Sequence, residues 1–299
     1  FSVGSIEKMF TAATIMQLAE EGKLKLDDPL DKWLPTYPYI DPKITVRQLL
    51  NHTGGLYDIV DNPDLWDAMF REPAKFWNLE GIILAFNREP VFPKGAGWNY
   101  SQVGYNLLQM IIEKITGLEK TAHNRNRFFV PLGLSNTFTS KGETLPVNIA
   151  HGWFDTDKDL EYEDLSSWPR IPFASGIGGE VWSTPEDLAK WARALFYDKR
   201  VVSQASLDQM LTFHSPCTGE EFICAGYGLG VMKFNSQLLN SLEVYGHGGH
   251  GPGYAAGCMY LPDYHVCIGI MENTDGGESI GMCMTNLIKV IIDYLEKNR

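Results

Sequence analysis

Residues Met9 to Glu21 contain neither glycine nor proline and carry apolar side chains on nearly every face: Met9, Phe10, Ala12, Ala13, Ile15, Met16, Leu18 and Ala19. A helix that is apolar all round is a buried one, so the chain must fold around this segment. Gly22 follows as a C-terminal stop. Just ahead of the run stand Ser5 and Lys8, which share a helix face at three-residue spacing. Two readings are open. Ser5 caps the helix while Lys8 extends to water. Alternatively, burial disfavours the ammonium, and the lysine exchanges protons with a serine that becomes a nucleophile without any histidine.

Further along, 44% hydrophobic residues with ordinary charge content describe a folded globular chain of 299 residues, one large or two modest domains. A net charge of −12 argues against nucleic acid or an anionic membrane as partner. No apolar run is long enough to span a bilayer. Five cysteines (Cys217, Cys224, Cys258, Cys267, Cys283) without a C-x-x-C pair indicate neither a disulfide framework nor a zinc site. Buried reduced thiols are expected, which leans towards a cytoplasmic compartment unless a signal peptide has been removed.

Helices are expected over Thr45 to Asn51, with Thr45 as cap, over Leu65 to Phe70 and Leu79 to Phe86, and over Val103 to Ile115, closed at Gly117. Thr184 caps another that starts with Pro185, and the last covers Met284 to Lys297. Strand candidates lie near Thr137 to Ser140 and Ile149 to Phe154. They then accumulate over Tyr227 to Phe234, Leu242 to Gly246, Gly253 to Leu261 and His265 to Glu272, with a turn at Pro262-Asp263. Late meandering strands closed by helices predict an α+β fold, an antiparallel sheet flanked by helices.

Several motif matches fail on context. Gly277-Glu278-Ser279-Ile280-Gly281 fits a nucleophile elbow, yet the last histidine, His265, precedes the serine. Gly246 to Gly251 fits G-x-G-x-x-G, but Pro252 stands where a helix should open. His247 and His250 lack further metal ligands in a plausible spacing, so no metal or cofactor is expected.

One ordered grouping remains: Ser5 and Lys8 at a buried helix, Tyr100 on a loop before another, and His247-Gly248-Gly249 at a late strand. Together they resemble the three motifs of the serine β-lactamase and penicillin-binding-protein superfamily, closest to its class C branch. The stretches Ile44 to Leu56, Tyr100 to Gly117, Gly178 to Leu195 and Gly246 to Pro262 are similar to that branch too. The resemblance implies a β-lactamase/transpeptidase-like fold with a sheet region over residues 1–24 and 136–299 and a mainly helical region over 25–135. It implies Ser5 as acylated nucleophile and Tyr100 as proton-exchanging phenol, with Lys8 lowering the pKa of that phenol. The backbone N–H groups of Ser5 and His250 would form an oxyanion hole, and Gln102, His247, Gly248 and Gly249 would contact substrate. The implied substrates are small esters or D-amino-acid-containing amides and peptides. The alternatives are a non-catalytic ligand-binding or assembly protein, or a weak β-lactamase.

Two departures from the family pattern bear on substrate. The second motif, usually Tyr-x-Asn, reads Tyr100-Ser101-Gln102, and the third, often Lys-Thr-Gly, reads His247-Gly248-Gly249. An imidazole anchors a carboxylate less well than lysine, which makes efficient β-lactam hydrolysis less expected. Relatives also carry several tens of residues before the nucleophile. A homo-oligomer or a complementing N-terminal segment is therefore expected to cover the exposed sheet edge. Trp66, Trp77, Trp153 and Trp168 are candidates for an apolar acyl pocket.

Overall fold

The computed structural model describes all residues except 73–74, 76, 157–158, 160, 166–179, 214–216, 218–223, 235–241, 275–278 and 299. Trp168, the stretch from Pro172 to Gly178, and the Gly277-Glu278 half of the elbow-like motif lie outside the described residues.

The apolar segment forms helix α1 (Glu7–Glu20), entered through a 3-10 turn over Gly4–Ile6. Of its residues, Met9, Phe10, Ala12, Ala13, Ile15 and Leu18 have no exposed surface. Its end is a Schellman motif. Gly22, at φ +69°, donates to the Ala19 carbonyl and Lys23 to that of Leu18. Phe10 stacks on Trp191 at 4.0 Å between ring centroids and meets Phe129 edge-on, which seats α1 in the middle of the core.

After α1 the chain is helical: α2 (Val46–Leu50), α3 (Pro63–Arg71), α4 (Leu79–Phe86), α5 (Gln102–Thr116) and α6 (Lys120–Asn124). Thr45 caps α2 in a full capping box with Gln48, and Gly117 closes α5 in the left-handed region. Four short strands follow, β1 (Phe138–Thr139), β2 (Trp153–Phe154), β3 (Glu163–Asp164) and β4 (Val181–Trp182), paired as β1 with β4 and β2 with β3. Thr184 accepts from the Asp187 amide to cap α7 (Pro185–Ala192), and α8 (Gln204–Met210) comes next.

The main sheet is antiparallel in the order β5 (Cys224–Tyr227), β6 (Met232–Phe234), β7 (Tyr245–Gly251), β8 (Tyr254–Leu261) and β9 (Val266–Glu272), with the closing helix α9 (Ser279–Lys297). This bears out the α+β reading with its sheet and flanking helices. Two strand expectations are corrected. The segment Tyr227 to Phe234 splits into β5 and β6 around a turn with Gly230 at φ +73°. The strand expected to stop at Gly246 continues to Gly251, because its glycine-rich half pairs fully with β8, Gly249 opposite Ala256 and His250 opposite Ala255. The expectation of reduced thiols is corrected as well. Cys217 and Cys224, 7 positions apart in sequence, are disulfide-bonded with their Cα atoms 5.5 Å apart, while Cys258, Cys267 and Cys283 are free. Among the described residues no helix is long and apolar enough to cross a membrane.

Candidate active site

Strand β7 pairs with β6 only at Tyr245 and Gly246. Alongside its glycine-rich remainder lies the Gly4–Ile6 turn that carries Ser5. The two backbones meet so closely that side chains would not fit between them. A Cβ on Gly249 would fall 1.9 Å from the Val3 carbonyl oxygen, and one on Gly4 2.5 Å from the His250 nitrogen. Gly4 also has φ +51°, a conformation that favours glycine. The turn is held on its other side by the Val3 N–H, which donates to Val181 of β4. Ser5 is therefore placed by backbone on both flanks, with its own amide and that of His250 on adjoining strands of main chain.

Lys8 lies one turn into the buried helix and is 1% exposed; it does not reach water, so the extended-lysine reading is corrected. Its Nζ donates to Ser5 Oγ at 3.1 Å and to Gln102 Oε1 at 2.5 Å, and sits 4.8 Å from the centre of the Tyr100 ring. Burial lowers its pKa to about 8, against the opposing pull of the Asp58 and Glu7 carboxylates. The Tyr100 phenol lies near the Ser5 hydroxyl, which favours its ionised form, but desolvation outweighs this and raises the phenol pKa well above its ordinary value. The lowering of the Tyr100 pKa expected from Lys8 is opposed by this desolvation. Burial disfavours the phenolate more than its neighbours favour it.

Gln102 opens α5 and is buried. Its Oε1 holds Lys8, its Nε2 donates to Asn106 Oδ1 at 3.1 Å, and its backbone N–H donates to Asp58 Oδ1 at 3.0 Å. Its amide is engaged in positioning the lysine rather than turned to substrate, which corrects its expected role. His247 is corrected in the same way. It has no exposed surface, its Nδ1 contacts the Gly248 carbonyl, and its Nε2 lies 2.8 Å from the Tyr227 hydroxyl. Desolvation lowers its pKa to about 3, so the ring is neutral. A carbonyl only accepts, so Nδ1 carries the proton and Nε2 accepts from Tyr227. The third motif therefore presents glycine backbone at Gly248 and Gly249, and no cation.

Sequence reasoning passed over His52, Tyr105, Tyr227 and Asp58. His52, at φ +61° after α2, accepts the Ser101 N–H on Nδ1 and packs its ring 4.4 Å from Tyr100 and 4.6 Å from Tyr227. Its motif neighbours Gly54 and Gly55 stood out as a turn, but nothing local says what that turn faces. Of the tryptophans, Trp66 is half-buried, bonds the Val60 carbonyl and stacks towards Phe70, which stacks on Phe154. Trp77 packs on Phe86, and Trp153 is exposed. Among the described residues no group of acidic, histidine and cysteine side chains is placed to hold a metal.

A serine, a lysine and a tyrosine in mutual contact, set against a glycine strand, is the arrangement that the three motifs of the sequence imply. A family model described as Beta-lactamase matches residues 1–283. The chain belongs to the Beta-lactamase family. It is 29% identical to penicillin-binding protein 4* of Bacillus subtilis (strain 168), over 92% of this chain and 61% of that protein, so it spans about three-fifths of that relative's length. A D-stereospecific amidohydrolase from Streptomyces sp. superposes with a TM-score of 0.83 at 33% identity, covering 93% of this chain and 84% of that one. D-amino acid amidase from Ochrobactrum anthropi SV3, complexed with D-phenylalanine, does so with a TM-score of 0.84 at 28% identity, covering 100% and 85%. These similarities span the sheet and the helical elements alike, so the family's β-lactamase/transpeptidase-like fold is the fold of this chain.

Proposed function

We propose that the chain is a serine hydrolase that forms an acyl-enzyme on Ser5 and acts on amides or esters of D-amino acids. The observation that carries this reading is Lys8, buried, with a pKa brought to about 8 and bonded to Ser5 Oγ. Roughly one lysine in ten is then neutral at pH 7, enough to accept the serine proton as Oγ attacks the carbonyl carbon. The amides of Ser5 and His250 receive the developing oxyanion. Tyr100, kept as a neutral phenol, relays the proton from Lys8 to the departing nitrogen or oxygen. Water then repeats the sequence in reverse roles and frees the acid, returning Ser5 to its starting state.

The third-motif position supports uncharged acyl donors over carboxylate-bearing ones. The residue in the third-motif position, His247, is a neutral buried ring rather than a cation, and an anion would find no counter-charge there. A D-amino-acid acyl group is supported separately by a structural neighbour, an amidase complexed with D-phenylalanine. Trp66, Phe70 and Phe154 supply a partly exposed aromatic strip suited to an apolar side chain.

The test is an intact-mass time course with D- and L-phenylalanine p-nitroanilide on wild type and Ser5→Ala. We expect an acyl adduct and nitroaniline release from wild type only, faster for the D enantiomer. If wild type releases no more nitroaniline than Ser5→Ala, the hydrolase reading falls and the chain is a ligand-binding member of its family.

A further inference from the structure

Asp58 sits at the mouth of the turn after Gly54-Gly55 and is 5% exposed. Its Oδ1 accepts the backbone N–H of Gln102 at 3.0 Å and that of Val60 at 3.4 Å. The Gln102 bond fixes the first residue of α5, directly after Tyr100 and Ser101, and the side chain of that residue holds Lys8 Nζ. A carboxylate this deeply buried is costly unless something offsets it, and the cation it interacts with is Lys8.

We propose that Asp58 is a positioning residue of the Ser5 site: it locks the Tyr100–Gln102 turn through the Gln102 amide, and its buried charge is the counter-charge that sets how readily Lys8 gives up its proton. The proposal rests on the reading of Ser5 and Lys8 as nucleophile and base. Other charges face the pair. Glu7 on α1 also favours the Lys8 ammonium, Lys120 on α6 opposes it, and Asp61 lies against Asp58. His52, His247 and Tyr100 surround them as neutral rings. Asp58 is the one of these charges that also holds the Gln102 amide, so it links the geometry of the second motif to the protonation of the first.

Asn at position 58 keeps an oxygen acceptor and caps turns as well as Asp, so Asp58→Asn separates charge from scaffold. Two readouts are taken. The first is the pH profile of kcat/KM on D-phenylalanine p-nitroanilide. The second needs no turnover: the titration of the Lys8 side chain by carbon NMR in a Ser5→Ala background, with and without Asp58→Asn. Removing a nearby negative charge makes the ammonium easier to deprotonate, so both midpoints should move down by about one pH unit from near 8. Asp58→Glu should return the midpoint towards the wild-type value. A folded Asp58→Asn protein whose Lys8 midpoint stays put overturns the proposal and leaves Asp58 a turn cap. Should Asn not fold at this position, Asp58→Ser, also a good cap without charge, carries the same comparison. An inactive wild type would sink the hydrolase reading alone, since the NMR midpoint still reports on Asp58.

Discussion

Burying Lys8 sets the chemistry of the site and constrains its neighbours residue by residue. Desolvation dominates the pKa of the lysine, ahead of the opposing pull of the Asp58 and Glu7 charges. The same burial raises the pKa of Tyr100, which fits the proposed role of the phenol as a proton relay rather than a standing base. The glycines of the site are as constrained as the polar groups. Gly249→Ala would drive a Cβ into the Val3 carbonyl, pushing the Ser5 turn off β7. A displacement near 1 Å at a reacting centre costs about a hundredfold in rate. Stopped-flow acylation of Gly249→Ala should show a loss of that order with the far-UV spectrum unchanged, whereas Gly248→Ala, with open space at its Cβ, should acylate within severalfold of wild type.

At the scale of elements, α6 is tied to α1 by a buried ion cluster. Lys120 bonds Glu7 and lies 3.5 Å from Glu180, all three buried. Removing the cation leaves two carboxylates close together without their shared lysine, and breaking a buried pair in this way costs about 3–5 kcal/mol. Lys120→Met should lower the urea midpoint accordingly. Because Lys120 opposes the Lys8 charge while Glu7 favours it, the variant should also raise the Lys8 midpoint, opposite in sign to Asp58→Asn. At a half-buried, uncharged capping site the effect is smaller. Thr45→Ala removes one half of the box that starts α2 and should cost about 1 kcal/mol.

For the molecule as a whole, three buried histidines among the described residues shape the response to mild acid. His52, His123 and His247 all have folded pKa values lowered by burial, to about 4 for His123 and about 3 for His247. A base whose folded pKa lies below its unfolded value near 6.5 binds more protons unfolded between the two. Stability contributed this way is complete above pH 6.5 and is lost as pH falls. Asp58 works in the opposite direction, since its pKa, raised to about 6, lets the folded state bind a proton earlier; one such group does not offset three. Thermal unfolding should therefore begin to drop below pH 6.5 and fall steadily towards pH 4. His123→Gln, remote from Ser5 in α6, should flatten part of that fall without altering turnover; an unchanged slope would show that His123 is not a contributor.

How much of this could be read from the chain alone follows from what is local. The burial of α1, its Gly22 stop and the Thr45 and Thr184 caps depend on neighbours within a few positions, so the sequence predicts them. The ordered set Ser5, Lys8, Tyr100 and His247-Gly248-Gly249 likewise pointed to the family that the comparisons show. The roles of Gln102 and His247 did not follow, because a side chain's partner is fixed by elements far away in sequence. Gln102 turns inward since Lys8 lies 94 positions back along the chain, and His247 is neutral since Tyr227 and the sheet close over it. Asp58 is the plainest case: one more acidic residue after a glycine turn when read in line, it becomes a buried counter-charge only when α5 folds onto α1. Local pattern determines which elements form; desolvation, which sets the charge of every group at the site, is a property of the packed whole.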